Sequence, residues 1–140
     1  MGTICVTGTA SGIGAATKAK LEAQGHRVIG VDLRNAEVCG DLSQPGDRKR
    51  IVDEVNALCG GVLDGLVPCA GVSTPVPNEL IVRVNFYGTL AIVNGLRPAL
   101  EKGTNSAVVM ISSNSTTMTP GLSVDDAMAY LQQDEESVVA

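Results

Sequence analysis

Three glycines near the start of the chain are spaced so that the backbone could hold a phosphate group. They lie in the run Thr7-Gly8-Thr9-Ala10-Ser11-Gly12-Ile13-Gly14, between a β-rich segment and a segment with helical spacing. Glycines allow a ligand to approach the backbone closely, and the N–H groups and dipole at a helix start attract anions. We therefore predict that a diphosphate binds at five positions: Gly8, Ser11, Gly12, Ile13 and Gly14.

An acidic residue stands where it could identify the rest of that ligand. Asp32 closes the next β-rich segment, where a carboxylate can accept hydrogen bonds from ribose hydroxyls and repel a 2′-phosphate. This arrangement favours NAD over NADP, although the guanidinium of Arg34 could soften the preference. A glycine turn alone could be purely structural. The strand before it, the helix after it and the acid at this distance favour dinucleotide binding.

The surrounding segments predict the elements that must position these residues. Apolar patterns and turn residues predict strands over Thr3–Thr7, Arg27–Asp32, Val38–Leu42, Leu63–Cys69 and Ala107–Ser113. Helices are predicted over Ile13–Gln24, Pro45–Cys59, Glu79–Leu100 and Val124–Ala140. This alternation predicts an α/β fold, a Rossmann-type doubly wound parallel sheet, in one domain over residues 1–140. The uninterrupted apolar run Ala107–Ser113 is typical of a central strand buried on both faces.

The glycine spacing Thr-Gly-x-x-x-Gly-x-Gly resembles the cofactor turn of the short-chain dehydrogenase/reductase family. Two further stretches are similar to that family's cofactor-binding segments. Asp41-Leu42 looks like the acidic pair beside the adenine ring, and Cys69-Ala70-Gly71 looks like the Asn-Ala-Gly turn after the fourth strand. The resemblance implies that Asp41, Leu42, Cys69, Ala70 and Gly71 also contact the cofactor.

Two other stretches are similar to catalytic segments of the same family. Asn85, within Val84-Asn85-Phe86-Tyr87-Gly88, matches the helix asparagine of the catalytic tetrad. Ser113, within Ile111-Ser112-Ser113, aligns with the catalytic serine, and Ser112 is the alternative. The resemblance implies NAD-dependent hydride transfer to or from a small-molecule secondary alcohol or ketone. Local similarity to bacterial 3α-hydroxysteroid dehydrogenase/carbonyl reductases, for example over Asp64-Gly65-Leu66-Val67, makes a hydroxysteroid a candidate substrate.

The sequence departs from the family pattern at two places. Pro68 and Cys69 replace the amide side chains that normally precede Ala70 and brace the neighbouring strands. The family also uses a Tyr-x-x-x-Lys helix, whereas Tyr130 is followed four residues later by Asp134. We therefore expect the 140 residues to stop before the catalytic tyrosine and lysine and to be inactive alone. The alternative is a non-catalytic dinucleotide-binding module.

Composition narrows the partners. A net charge of −5 with scattered basic residues argues against a nucleic-acid partner. The absence of a long apolar run or leader argues against secretion and membrane spanning. Cysteines that fit reduced thiols favour a cytoplasmic protein, and we predict no membrane partner. The segment Asp47–Arg50 is expected to be a solvated helix face. Four cysteines fit no metal motif, so we predict no metal and reduced, mostly buried thiols: Cys5, Cys39, Cys59 and Cys69. The family resemblance of the helix Glu79–Leu100 implies a homodimer or homotetramer.

Overall fold

The computed structural model describes residues 1–114, 118–121 and 123–140. These residues form two compact units, Met1–Met110 and Ile111–Ala140. The sheet lies in the first unit.

All strands of the five-stranded sheet run parallel. They are β1 (Thr3–Thr7), β2 (Arg27–Asp32), β3 (Val38–Cys39), β4 (Gly65–Pro68) and β5 (Ala107–Val108). Their order is β3-β2-β1-β4-β5, so the direction of winding reverses between β1 and β4. This order confirms the predicted Rossmann-type doubly wound sheet, in which ligands bind beyond the carboxyl ends of the strands at the reversal.

Helices connect the strands and flank the sheet. The first unit contains α1 (Gly12–Ala23), α2 (Pro45–Cys59), α3 (Asn78–Val82) and α4 (Thr89–Leu100). Pro45 stands in the first turn of α2, where its missing N–H costs nothing, and Gly60 ends that helix in a left-handed conformation with a φ of 63°. The predicted boundaries of α1 and α2 therefore hold to within a residue.

The predicted long helix Glu79–Leu100 is interrupted by a wider turn. Between α3 and α4 the chain continues without a break through a π-helical turn, Arg83–Gly88. Such turns insert an extra residue into a helix and are frequent at functional sites. Here the turn carries Asn85.

The core lies between the sheet and the helices that pack on it. Its side chains are almost wholly inaccessible to solvent, and the largest are Ile29, Ile51, Leu63, Leu66, Ile92 and Leu96. Residues from β2, β4, α2 and α4 thus share one apolar cluster. Burial of this cluster fixes the carboxyl ends of the strands relative to each other.

The expectation of a buried central strand over Ala107–Ser113 is wrong. Only Ala107–Val108 pairs as a strand, and Val108, Val109 and Met110 are 41%, 55% and 52% exposed. Within the residues that the structure describes, β5 hydrogen-bonds only to β4. An apolar run is buried only when neighbours cover its other edge and both faces, and the sequence pattern does not report those neighbours.

Over Val124–Ala140, where the sequence predicted one helix, the structure has two short helices, α5 (Val124–Gln132) and α6 (Glu135–Val139). A reciprocal pair of hydrogen bonds between Ser123 and Asp126 forms a capping box at the start of α5. Gln133 is extended, and the Asp134 side chain accepts the Ser137 N–H, so a new helix begins there. Asp134 acts as an N-cap, which favours the start of a new helix over the continuation of α5.

The cysteines are free, but the expectation that most are buried is wrong. Only Cys5 is buried; Cys59 and Cys69 are partly exposed and Cys39 is exposed. Burial raises the pKa of the Cys5 thiol to about 12. In the part of the chain that the structure describes, no helix is both long and apolar enough to cross a membrane.

Candidate functional site

The glycine turn joins the carboxyl end of β1 to the start of α1 and requires glycine at its most crowded position. A Cβ on Gly14 would lie 2.1 Å from the Gly8 carbonyl oxygen. Gly8 itself has a φ of 77°, and a Cβ there would lie 2.9 Å from the backbone of Ala70. The turn is therefore packed against itself and against the segment that follows β4.

The first N–H groups of α1 are available to a ligand. The helix starts at Gly12, and N–H groups of a first helical turn have no acceptor within the helix. Ser11 occupies the N-cap position, but its side chain makes no capping hydrogen bond, and the first turn contains no acidic residue. Gly12 offers open space beyond its Cα. This arrangement suits an anion such as a diphosphate.

Asp32 lies at the carboxyl end of β2, directly beside the turn. Its Oδ2 accepts the Ala10 N–H at 2.8 Å, and its Oδ1 accepts the Leu33 N–H at 2.6 Å. These bonds orient the carboxylate, and each oxygen retains lone pairs for further donors. Asp32 is therefore held where it can also accept hydrogen bonds from hydroxyl groups of a ligand.

The loop after β3 is shaped by carboxylates. The Ser43 N–H donates to Asp41 Oδ1, and the Asp41 N–H donates to Asp47 Oδ2, both at 2.8 Å. The Asp41 N–H, followed by the Arg50 guanidinium, holds the pKa of Asp47 below its usual range. Asp47 is thus ionised at neutral pH and fixes the loop that presents Asp41 and Leu42.

The segment after β4 is braced from β1. The Ala70 N–H donates to Thr7 Oγ1 at 2.9 Å, so a hydroxyl on the neighbouring strand supports this turn even though Pro68 and Cys69 replace amide side chains. Partial burial raises the pKa of Cys69 and outweighs an opposing hydrogen bond with Thr17. Cys69 therefore remains a neutral thiol at neutral pH.

Asn85 holds the next residues of the same segment. Its Oδ1 accepts the Val72 N–H and its Nδ2 donates to the Val72 carbonyl oxygen, both at 2.8 Å. This pair of bonds imitates a strand partner for Val72. The carboxamide is exposed on its remaining side.

These features surround one crevice of about 280 Å³ beyond the carboxyl ends of the strands. The crevice brings together every residue that the sequence singled out for cofactor binding: Gly8, Ser11, Gly12, Ile13, Gly14, Asp32, Asp41, Leu42, Cys69, Ala70 and Gly71. It is also lined by residues that the sequence did not single out for cofactor binding: Val31, Leu33, Gly40, Val72 and Val84. The alternation of apolar residues on neighbouring segments could have indicated them.

The two serines are placed differently. Ser112 and Ser113 belong to the second unit, where both are exposed and lie in a stretch without regular secondary structure. The role of Ser113 therefore remains a prediction from the family resemblance.

One residue that sequence reasoning placed on a solvated face is buried. Arg48 in α2 is only 6% exposed, and its guanidinium donates to the backbone carbonyls of Leu42 and Arg83. Its burial comes from the loop that holds Leu42 and from the π-helical turn, and no local sequence pattern marks it. Elsewhere in the described residues, no group of three or more potential metal ligands is found.

Comparisons with known proteins point to one family. The family model for short chain dehydrogenases matches residues 34–124. The 3-alpha-hydroxysteroid dehydrogenase/carbonyl reductase of Comamonas testosteroni is 45% identical over 115 residues, which cover 81% of this chain and 44% of that protein. Coniferyl-alcohol dehydrogenase from a Pseudomonas species is 33% identical over 116 residues, covering 79% of this chain and 43% of that protein.

A solved structure is similar over almost the whole chain. The 3-alpha-hydroxysteroid dehydrogenase from Pseudomonas sp. B-0831, complexed with NADH, superposes with a TM-score of 0.89 at 43% identity. The match covers 98% of this chain and 59% of that chain. The chain spans about half the length of the curated relatives it matches.

Proposed function

Because the chain belongs to the short-chain dehydrogenase family, we propose that it binds NAD and serves hydride transfer between that cofactor and a secondary alcohol or ketone. The crevice at the reversal of strand order carries this proposal. It combines uncapped helix N–H groups, a turn too tight for any side chain at Gly14, and the Asp32 carboxylate at the end of β2.

The residues of the crevice fit a dinucleotide. The N–H groups at the start of α1 suit a diphosphate, and the open space at Gly12 leaves room for it. Asp32 suits the adenosine ribose and disfavours a 2′-phosphate by charge repulsion. Apolar side chains beside Asp41, including Leu42 and Val31, suit a flat aromatic base.

Bound NAD would supply the hydride acceptor. The residues of this chain would orient that cofactor and the alcohol or ketone substrate. Asn85 fixes Val72 and hence the wall beyond β4, where its exposed side could also hold a water. Ser113, by family resemblance, would hold the substrate oxygen through its hydroxyl. The proton acceptor expected in the family, a tyrosine with a lysine four residues later, has no match at Tyr87 or Tyr130.

The proposed substrate class is a secondary alcohol or ketone, with hydroxysteroids as the first compounds to test. Support comes from the similarity to the 3-alpha-hydroxysteroid dehydrogenase/carbonyl reductase of Comamonas testosteroni. The experiment is NADH formation, followed at 340 nm, when the protein made from its whole coding sequence is given NAD and 3α-hydroxysteroids. Turnover that disappears in Ser113→Ala supports the proposal; failure to bind NADH at all would overturn it.

A second candidate is a dinucleotide-binding module without catalysis. The crevice itself favours this alternative, because the features that define it, the N–H groups at the start of α1 and the Asp32 carboxylate, serve to hold a dinucleotide rather than to react with a substrate. Both candidates bind NADH, so the steady-state rate separates them: the module shows saturable NADH binding and no turnover with any alcohol or ketone tested.

A further inference from the structure

A buried arginine lies behind the crevice. Arg48 belongs to α2, and only 6% of its surface reaches solvent. Removing a guanidinium from water is costly unless its donors find acceptors. The bonds that Arg48 makes therefore reveal what it is held there to do.

Its donors meet two separate segments of the backbone. Nε donates to the Leu42 carbonyl oxygen at 2.6 Å, and Nη2 donates to the Ser43 carbonyl oxygen at 3.3 Å, both in the loop after β3. Nη2 also donates to the Arg83 carbonyl oxygen at 3.0 Å, in the π-helical turn. A planar guanidinium presents its donors in fixed, divergent directions from one rigid group, whereas a Lys ammonium is a compact point charge on a flexible stem.

Direct packing also connects the π-helical turn to the Leu42 loop. A Cβ on Gly88, the last residue of the π-helical turn, would lie 3.0 Å from Leu42 Cβ and 3.1 Å from the Leu42 oxygen. The turn and the loop therefore touch at Gly88, where there is no room for a side chain without displacement. Arg48 bridges both segments beside this contact.

Each joined segment leads to a different wall of the crevice. Leu42 lines it on the side of β3 and Asp32, which suits the adenosine half of the ligand. The π-helical turn carries Asn85, which holds Val72 on the wall beyond β4. Because β4 lies on the other side of β1 from β2 and Asp32, the nicotinamide half of a dinucleotide would face this wall. The two walls are thus connected behind the crevice through Arg48.

We propose that Arg48 is a positioning residue that joins the adenosine-side and nicotinamide-side walls of the crevice through the carbonyls of Leu42 and Arg83. The inference rests on the proposed function for its ligand. Loss of Arg48 should loosen the π-helical turn as well as the Leu42 loop. Binding of the nicotinamide half should then suffer in addition to binding of the adenosine half.

The test compares Arg48→Met with Lys49→Met in the protein made from its whole coding sequence. Lys49 is the next residue of α2, and its exposed side chain pairs with Asp53, so this variant controls for charge and helix position. The probes are NADH and ADP-ribose, which lacks only the nicotinamide. In Arg48→Met the Kd should rise about tenfold for ADP-ribose and about 30-fold for NADH, while Lys49→Met stays within about twofold. Equal losses for the two probes, or none, would overturn the proposal.

A second variant keeps the proposal testable if Arg48→Met misfolds, and a measurement without ligand keeps it testable if the protein does not bind NADH. Gly88→Ala keeps Arg48 and favours the helix intrinsically, yet should separate the turn from Leu42 and give the same unequal losses. Amide hydrogen exchange without ligand should rise over both 42–44 and 83–88 in Arg48→Met. Faster exchange confined to residues 42–44 would contradict the proposed connection between the Leu42 loop and the π-helical turn. Absence of NADH binding by the wild type would instead refute the proposed function. The exchange measurement would still show whether Arg48 connects the Leu42 loop to the π-helical turn.

Discussion

Replacing Gly14 with alanine tests the glycine turn at its tightest point. The added Cβ would lie 2.1 Å from the Gly8 oxygen, 2.5 Å from the Gly8 carbonyl carbon and 2.9 Å from the Thr7 oxygen. Unbonded heavy atoms settle roughly 3.5 Å apart, so the start of α1 and the Gly8 carbonyl must separate by about 1 Å or more. All three neighbours are backbone atoms, which cannot rotate away as the end of a side chain can.

We expect Gly14→Ala to weaken NADH binding strongly and to lower the free energy of unfolding moderately. Overpacking of this kind destabilises a protein by about 1–3 kcal/mol. Displaced N–H groups at the start of α1 can no longer converge on a diphosphate, so NADH affinity should fall at least about tenfold, equivalent to about 1.4 kcal/mol. Gly46→Ala is the matched control because a Cβ there meets nothing within 4 Å and the residue lies inside α2.

The assay is NADH binding by fluorescence, with thermal unfolding measured on the same samples. Gly46→Ala should bind like the wild type and be up to about 1 kcal/mol more stable, because alanine favours helix over glycine. A folded Gly14→Ala variant that binds NADH as tightly as the wild type would refute the assignment of the turn to the diphosphate.

Three further substitutions test other parts of the structure. Asp32→Ala should weaken NADH binding about tenfold and narrow the gap between NADH and NADPH, measured by titration with both; an unchanged ratio would contradict the role of Asp32. Hydrogen bonds from the Thr3 N–H, and then from the Thr104 N–H, hold the pKa of Asp64 below its usual range. The Asp64 carboxylate therefore stabilises the folded state fully above the unfolded-state pKa of about 3.9. This contribution to the free energy of unfolding is lost as pH falls through the lower folded-state pKa. The stability difference between wild type and Asp64→Asn, measured by urea unfolding, should therefore be larger at pH 7 than at pH 3; a constant difference would exclude this linkage. Thr9 Oγ1 is buried without a hydrogen-bond partner among the described residues, so Thr9→Val should be neutral or stabilising by up to about 1 kcal/mol, and a clear loss of stability would show that the hydroxyl is satisfied.

Local patterns sufficed for the glycine turn and Asp32, and the family resemblance supplied the other predicted residues of the crevice. The β-rich run before Gly8 and the strand that ends at Asp32 were predicted with their observed bounds, since each has an apolar pattern closed by a turn residue or an acid. The predicted cofactor-binding residues all line one crevice because parallel strands bring their carboxyl ends to the same edge of the sheet.

Features that depend on distant neighbours were not predictable in this way. Arg48 sits within a run of charged residues that reads as a solvated face, and only the approach of the Leu42 loop and the π-helical turn buries it. The apolar run from Ala107 was expected to be buried, but burial requires partners that lie outside the local pattern. The π-helical turn also leaves no mark in the apolar spacing, because Val84 remains buried within it.

The most direct test of dinucleotide binding is a calorimetric titration of the protein, made from its whole coding sequence, with NADH. The crevice predicts saturable binding with one site per chain, competition by ADP-ribose, and loss of the signal in Gly14→Ala. A folded protein that shows no NADH binding, or binding unaffected by Gly14→Ala, would contradict the account.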